Sequence, residues 1–265
     1  MSIRILWIGG NHPRHLYYIN TIAAAYPLAG ALIETRENLI PSPPERLDEV
    51  DRRNFIRHFD ARANAEKHYF GEQELPDCHR LEVPSEQLNS ERSVEFVRSI
   101  DPDLVLIFGS GLIKDPLYSA LPKDSINLHL GVSPRYRGAA TLFWPFYFME
   151  PAYAGTTFHY IIAEPDAGDV VHQVTPELDR ADGVHDVACK AVMASANQAV
   201  SLLEIFEREG SWKIHRQRGT GKNFLSSDFK PEHLRVLYNV FDDDIVARYL
   251  DGDLPSKEPP LYRQF

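Results

Sequence analysis

The chain has little of several things that would fix its class at once. Its 265 residues include only two cysteines, Cys78 and Cys189, far apart in sequence. Such spacing argues against a disulfide framework and a thiolate metal knuckle, and predicts two reduced thiols in a cytoplasmic protein. No apolar run approaches the roughly 20 residues that span a bilayer, so no membrane association is expected. The opening MSIRILWIGG has a short apolar stretch without a small-residue cleavage site, which predicts a first strand rather than a signal peptide. Basic charge is also scarce: 28 Lys and Arg face 38 Asp and Glu, a net charge of −10. Phosphate backbones need a basic footprint, so nucleic acid is not expected as a partner. A small anion held by a local Arg or a helix N-terminus remains compatible with that charge. Internal repeats and low-complexity segments are missing too.

What is present is an alternation of strand and helix. Ile3–Ile8 is a continuous apolar run ending in Gly9-Gly10-Asn11, which predicts a buried parallel strand and a tight turn. Arg14–Tyr26 has helical spacing, and Leu28–Thr35 reads as a second strand, completing a right-handed crossover. Three prolines at positions 41, 43 and 44 then open a polar insertion over 41–80. From Glu45 onward this insertion reads as a charged, solvated surface helix, with Arg52, Arg53, Arg57 and Arg62 as possible contacts to an acidic ligand. Leu81–Val83 predicts a short strand, and Ser85 the N-cap of the following helix. Asp103–Phe108, Ile126–Leu130 and Thr156–Ile162 are further strand-like runs. Asp182–Phe206 is the clearest helix, with an apolar stripe from Val184 to Phe206. From about Ser211 the chain reads as a tail, with a loop or hairpin at GTGKNFLSSDF and one or two amphipathic helices beyond. The expectation is an α/β, Rossmann-like, open and mostly parallel sheet with helices on both faces, plus a small C-terminal appendage. Its boundaries fall at 1–208 and 209–265.

The chemistry concentrates between Phe108 and Asp169. In open α/β sheets, ligand loops gather at the carboxyl ends of strands. Asn127 and His129 lie two apart and so share one face of a strand. With Asp166 nearby, an amide donor, an imidazole and a carboxylate make an acyl-transfer constellation. Asp166 is expected to orient His129 and raise its pKa. Taken singly, each has a plainer reading: a core histidine, or a turn aspartate in Pro-Asp-Ala-Gly-Asp. At the other end of the chain, Gly10, Asn11 and His12 form a turn that either holds a phosphate or substrate group or is a bare loop. The Gly9-Gly10 turn lacks the three-glycine spacing of a dinucleotide site, and Glu34 is the only acidic residue that would close such a site. His12 and His15 lack a third ligand, so no metal is expected.

NLHLGVSPRYRGAAT followed by FHYIIAEPDAGDVVHQ resembles the folate-dependent formyltransferase family. That family includes glycinamide ribonucleotide formyltransferase, methionyl-tRNA formyltransferase and the sugar N-formyltransferases. Its pattern is Asn-x-His, a Ser-containing loop ending Pro-x-x-Arg-Gly, then Asp-x-Gly after a further strand. Those positions are Asn127, His129, Ser133 to Gly138, and Asp166-Ala167-Gly168. The family's Ser-Leu-Leu-Pro after the histidine is replaced here by Leu130-Gly131-Val132-Ser133-Pro134, which shifts the serine. The resemblance implies catalytic roles for Asn127, His129 and Asp166, and N10-formyltetrahydrofolate as formyl donor. It places the donor's pterin ring between two backbone loops, Ser110-Gly111-Leu112-Ile113 and Ala163-Glu164 with Asp166.

The 41–80 insertion and the compact tail look most like a sugar N-formyltransferase acting on a nucleotide-activated amino sugar, an O-antigen or lipopolysaccharide precursor. Arg135, Tyr136 and Arg137, with Tyr147 and Tyr153, are candidates for the sugar or nucleotide pocket, against a surface or core role for each. The resemblance also implies a homodimer. Alternatives are another small amine (glycinamide ribonucleotide, an amino acid or a peptide), methionyl-tRNA, or a non-folate nucleotide-binding protein or oxidoreductase on a similar sheet.

Overall fold

The computed structural model describes residues 3–35, 40–217 and 221–265. Its elements run β1 (Ile5–Gly10), α1 (Pro13–Ala23), β2 (Leu28–Thr35), α2 (Glu49–Phe70), β3 (Arg80–Pro84), α3 (Glu91–Ile100) and β4 (Leu104–Phe108). A one-turn helix α4 (Leu117–Ala120) precedes β5 (Ser125–His129), β6 (Tyr136–Gly138) and a second one-turn helix α5 (Trp144–Tyr147). Then come β7 (Thr156–Tyr160), β8 (Val170–Val174), α6 (Val184–Glu209), β9 (Lys222–Phe224) and α7 (Ile245–Leu250).

Seven strands form one sheet in the order β3-β2-β1-β4-β5-β7-β8. The five strands from β3 to β5 pair in parallel, and β7 and β8 add antiparallel at the end. This is the expected open, mostly parallel, Rossmann-like sheet. Strand order reverses at β1, so the crevice at the carboxyl ends of β1 and β4 is where a doubly wound sheet receives ligands.

Alternation along the strands feeds two cores. Ile5, Trp7, Ala31, Ile33, Leu104 and Leu106 pack with α1 and α6, while Leu6, Ile8, Leu32, Val105 and Ile107 pack with α3. Both faces of the central strands are therefore covered, which explains their unbroken apolar runs. Helix α6 has no Gly or Pro inside it and starts where Asp186 accepts the Gly183 N–H at 2.9 Å. It ends at Gly210, whose φ of 72° lies in the left-handed region that glycine enters freely.

Three expectations need correction. Ser85 opens only a single turn, Ser85–Gln87, and the helix itself begins at Glu91, because the Ser85 hydroxyl is spent on Glu34 (2.5 Å). The segment around Lys222–Phe224 is no hairpin: it pairs in parallel with Tyr136–Gly138, 86 residues earlier in the chain. Its first two residues, Gly219 and Thr220, lie outside the described residues. Helix α2 is not simply a solvated face, since Asp51, Asn54, Phe55, His58, Glu66 and Phe70 are buried. A third core explains this. Phe55 packs with Phe143, Trp144 and Val187, and with Leu234, Leu237 and Tyr238 from the C-terminal segment. The chain end also returns to the sheet edge, where the Gln173 N–H donates to the Tyr262 carbonyl at 2.7 Å. Cys78 and Cys189 are both free.

Candidate active site

Strand β5 delivers Asn127 and His129 to one face, as two-residue spacing demands. Antiparallel pairing then sets His159 of β7 directly opposite Asn127. Asp166 sits on the loop after β7 with φ 51°, a left-handed conformation that aspartate tolerates better than most residues. Its carboxylate bridges two imidazoles: Oδ2 lies 3.3 Å from His129 Nδ1, and Oδ1 lies 3.4 Å from His159 Nε2. The Gly138 N–H donates to Oδ2 at 3.0 Å, tying the loop to β6.

Proton positions follow from the carbonyls nearby. His129 Nε2 is 2.9 Å from the Tyr136 carbonyl, so that nitrogen carries a hydrogen and Nδ1 faces Asp166. His159 Nδ1 is 2.9 Å from the Tyr160 carbonyl, so in the neutral ring its Nε2 is an acceptor. Asn127 Nδ2 donates to that Nε2 at 3.2 Å. An amide nitrogen has two hydrogens, so one is used on His159 and the second is available to the cleft.

Burial alone would raise the Asp166 carboxyl. The two imidazoles beside it, His159 first, and the Gly138 N–H outweigh it and bring the group from 3.8 down to about 2. For His129 the balance falls the other way: burial pushes the imidazole below its ordinary value although Asp166 pulls upward. The expected upward shift of His129 is therefore not what this site produces. Stability has a consequence. A carboxyl with a depressed folded pKa contributes stability that is fully present above about 3.8 and is lost as pH falls toward about 2. The contribution is on the order of 2 kcal/mol, and an acid titration followed by circular dichroism should show Asp166→Asn losing that part of the pH dependence.

Two cavities meet at this cluster. The larger, about 840 Å³, is lined by Asn127, His129, Asp166, His12, Arg14, Arg62, Glu66, His58 and His185 among others. The smaller, about 200 Å³, is lined by Ser110, Gly111, Leu112, Ile113, Ile161, Ile162, Glu164, Pro165 and Asp166, again with Asn127 and His159. Ser110, Asn127 and Asp166 border both.

The loop after β4 is held from behind. Glu34, 1% exposed at the end of β2, accepts the Gly111 N–H and the Ser85 hydroxyl. Asn89 donates to the Leu112 carbonyl at 3.0 Å and accepts the Lys114 N–H at 2.8 Å. The acidic residue closing the second strand thus turns inward to a loop instead of outward to a ribose. Ala163 belongs to the facing loop but does not line the smaller cavity.

Other residues singled out in the sequence are placed unevenly. His12 lines the larger cavity; Gly10 and Asn11 do not, and a Cβ on Gly10 would come within 2.7 Å of His15 and 2.8 Å of the Gly109 carbonyl. Arg135 and Tyr136 face Glu150 instead of the cavity, at 2.6 and 2.8 Å, and Tyr136 is 2% exposed. Arg137 donates to Glu164 at 2.7 Å and to the Pro165 carbonyl at 3.1 Å, which fastens the Asp166 loop. Trp144 and Phe146 pack in the core. Of Arg52, Arg53, Arg57 and Arg62, only Arg62 reaches the cavity, and Arg57 lies over the Tyr238 ring. His159, Glu34 as a loop anchor, and α2 as a cavity wall emerge only in the structure. A histidine inside the apolar run Thr156–Ile162 was the one available signal for the first. Among the described residues, no group of three or more His, Cys, Asp or Glu is placed to hold a metal ion, and no helix is long and apolar enough to cross a membrane.

The formyl transferase family signature matches residues 58–202, more than half of the chain and all of this cluster. The chain belongs to that family. Over 53 residues this formyl transferase homologue is 42% identical to the methionyl-tRNA formyltransferase of Citrifermentans bemidjiense, a stretch covering 20% of the chain and 17% of that protein. Among solved structures, the phosphoribosylglycinamide formyltransferase of Anaplasma phagocytophilum superposes with a TM-score of 0.58 at 16% identity, covering 85% of this chain and 98% of that one. A sugar N-formyltransferase from a Shewanella species gives a TM-score of 0.55 at 14% identity, covering 88% and 87%. At such identities the structural likeness speaks for the fold alone.

Proposed function

We propose that the protein transfers a formyl group from N10-formyltetrahydrofolate to a primary amine, the amino group of a nucleotide-activated amino sugar. The observation that carries this reading is the shared wall: the amide, imidazole and carboxylate cluster stands where two chambers meet, one for each substrate. The smaller chamber suits the donor's ring, because it lies between the 110–113 and 161–166 loops and is the size of one heterocycle with its substituents. Leu112 and Ile162, 48% and 44% exposed at its rim, would flank that ring. The donor supplies an activated formyl group on nitrogen.

The chain's own residues then have distinct tasks. The free Asn127 N–H donates to the formyl oxygen as negative charge develops there. With its Nε2–H committed to the Tyr136 carbonyl, His129 handles a proton at Nδ1, and Asp166 stabilises the resulting imidazolium. His159 holds Asn127 and Asp166 in register. Uncharged amine is the nucleophile, so the rate falls at low pH.

An acceptor panel tests the reading. With 10-formyltetrahydrofolate as donor, and tetrahydrofolate release as readout, nucleotide-linked amino sugars should exceed glycinamide ribonucleotide and charged tRNA by at least about tenfold in kcat/KM. Equal or better turnover of the latter two would reassign the acceptor, and no turnover with any amine would overturn the reaction itself.

A further inference from the structure

The turn after β5 carries the altered serine, and the same turn fixes the catalytic imidazole. His129 Nε2 donates to the Tyr136 carbonyl at 2.9 Å, and the Tyr136 N–H donates back to the Val132 carbonyl at 3.1 Å. The placement of residues 131–136 therefore decides which ring nitrogen of His129 carries the hydrogen and which faces Asp166. A Cβ on Gly131 would stand 2.6 Å from both His129 Nε2 and the Tyr136 carbonyl, so the turn has no slack beside the ring.

Ser133 anchors the middle of this turn through its main chain. Its hydroxyl is buried with no partner among the described residues, whereas its N–H donates to the Thr157 hydroxyl at 3.0 Å and its carbonyl accepts from Gln173 Nε2 at 2.6 Å. Thr157 donates in turn to the Gly131 carbonyl at 2.7 Å and accepts from Gln173 Nε2 at 3.2 Å. Both side chains are buried, and the hydroxyl hydrogen, both hydroxyl lone pairs and both amide hydrogens are used. What remains is Gln173 Oε1, and its donor comes from far along the chain. The Tyr262 N–H donates to it at 3.0 Å, while the Gln173 N–H donates to the Tyr262 carbonyl at 2.7 Å. Two residues on, the Gln264 N–H donates to His172 Nδ1 at 3.0 Å and its amide to the Val171 carbonyl at 2.6 Å, so residues 262–264 lie along the outer edge of β8. A buried polar network is rigid when every member is satisfied and costly when one is not.

We propose that Gln173 is a positioning residue for His129, and that residues 262–264 act on catalysis through it: with Tyr262 docked, the Gln173 amide holds the 131–136 turn where the Tyr136 carbonyl fixes the His129 ring. The inference rests on the proton-handling role of His129 argued above and adds the outer edge of the sheet to what determines it. Gln173, Thr157 and Ser133 line neither cavity, so they act on turnover through His129 and not on substrate binding.

The test reads formyl transfer and the His129 ring side by side, on the full chain. Gln173→Met keeps the side chain's length and removes its amide bonds. Tyr262→Pro leaves Gln173 in place and removes only the N–H that its Oε1 receives; it serves if Gln173→Met does not fold. Each should lower kcat by about tenfold or more, with KM for the formyl donor within about twofold of the wild type. The double variant should lose no more than Gln173→Met alone, because both changes act through one residue. In 15N-histidine spectra, at a pH where the ring is neutral, the wild-type His129 should be protonated at Nε2, its signals being those missing from His129→Ala. In both variants the ring should sample both tautomers and its two nitrogen signals should converge. An unchanged kcat in either folded variant, a lowered kcat with an unshifted His129 ring, a wild-type ring not fixed at Nε2, or losses that add in the double variant would each overturn the proposal. A wild type that transfers no formyl would remove the reaction instead, and the ring signals would still decide the positioning role.

Discussion

Asn127→Ala and His129→Ala should each fold normally and lose formyl transfer by about 100-fold or more. Asn127 is half-buried, and among the described residues its side chain bonds His159 and no backbone group, which leaves its second hydrogen for the cleft. Removing one such donor to a developing oxyanion costs roughly 10²–10³ in turnover. His129 is buried, with Tyr136 on one nitrogen and Asp166 on the other, so its truncation also strands the carboxylate. The loss should therefore appear in kcat with little change in KM for either substrate. Tetrahydrofolate release measures the rate, and a melting curve within a few degrees of the wild type shows that the fold survives. Turnover near that of the wild type in either variant would remove the residue from the mechanism.

The sheet was legible because its strands are covered on both faces: unbroken runs such as Leu104–Phe108 leave few other readings. The candidate site was legible where geometry is local. Asn127 and His129 share a face by strand periodicity alone, and the loops that follow β4 and β7 both border the smaller cavity. What escaped detection depends on contacts between distant segments. His159 meets Asn127 through antiparallel register, which no window of sequence encodes. Arg135 and Tyr136 look like ligand contacts until Glu150, fifteen and fourteen residues on, takes both. Helix α2 carries charges that suggest solvent on every side, yet its Phe55 and His58 meet a C-terminal segment some 180 residues away. The direction of the His129 shift is hidden for a related reason: the charge partner is visible in sequence, whereas the burial that outweighs it is not.

Gly168→Ala should damage both the fold and the site. A Cβ there would stand 1.7 Å from the Tyr160 carbonyl oxygen and 2.8 Å from its carbon, so backbone must move. The same carbonyl accepts from His159 Nδ1 at 2.9 Å, and the Gly168 and Asp166 carbonyls share the Gln217 amide, at 2.8 and 3.1 Å. Either Tyr160 shifts and frees the His159 ring, or the loop shifts and takes Asp166 with it. Overpacking of this kind costs about 1–3 kcal/mol or more, and displacing a reacting group by ~1 Å can cost 100-fold in rate. Activity should thus fall by about 100-fold or more alongside a lowered melting temperature. Gly210→Ala is the informative contrast: it has open space around it but a φ of 72° at the end of α6. It should lose about 1 kcal/mol of stability from backbone strain and keep full turnover. If Gly168→Ala proves no worse than Gly210→Ala in turnover, the Asp166 loop is not held by this close approach, and the carboxylate's position must be set by Arg137 and Gly138 instead.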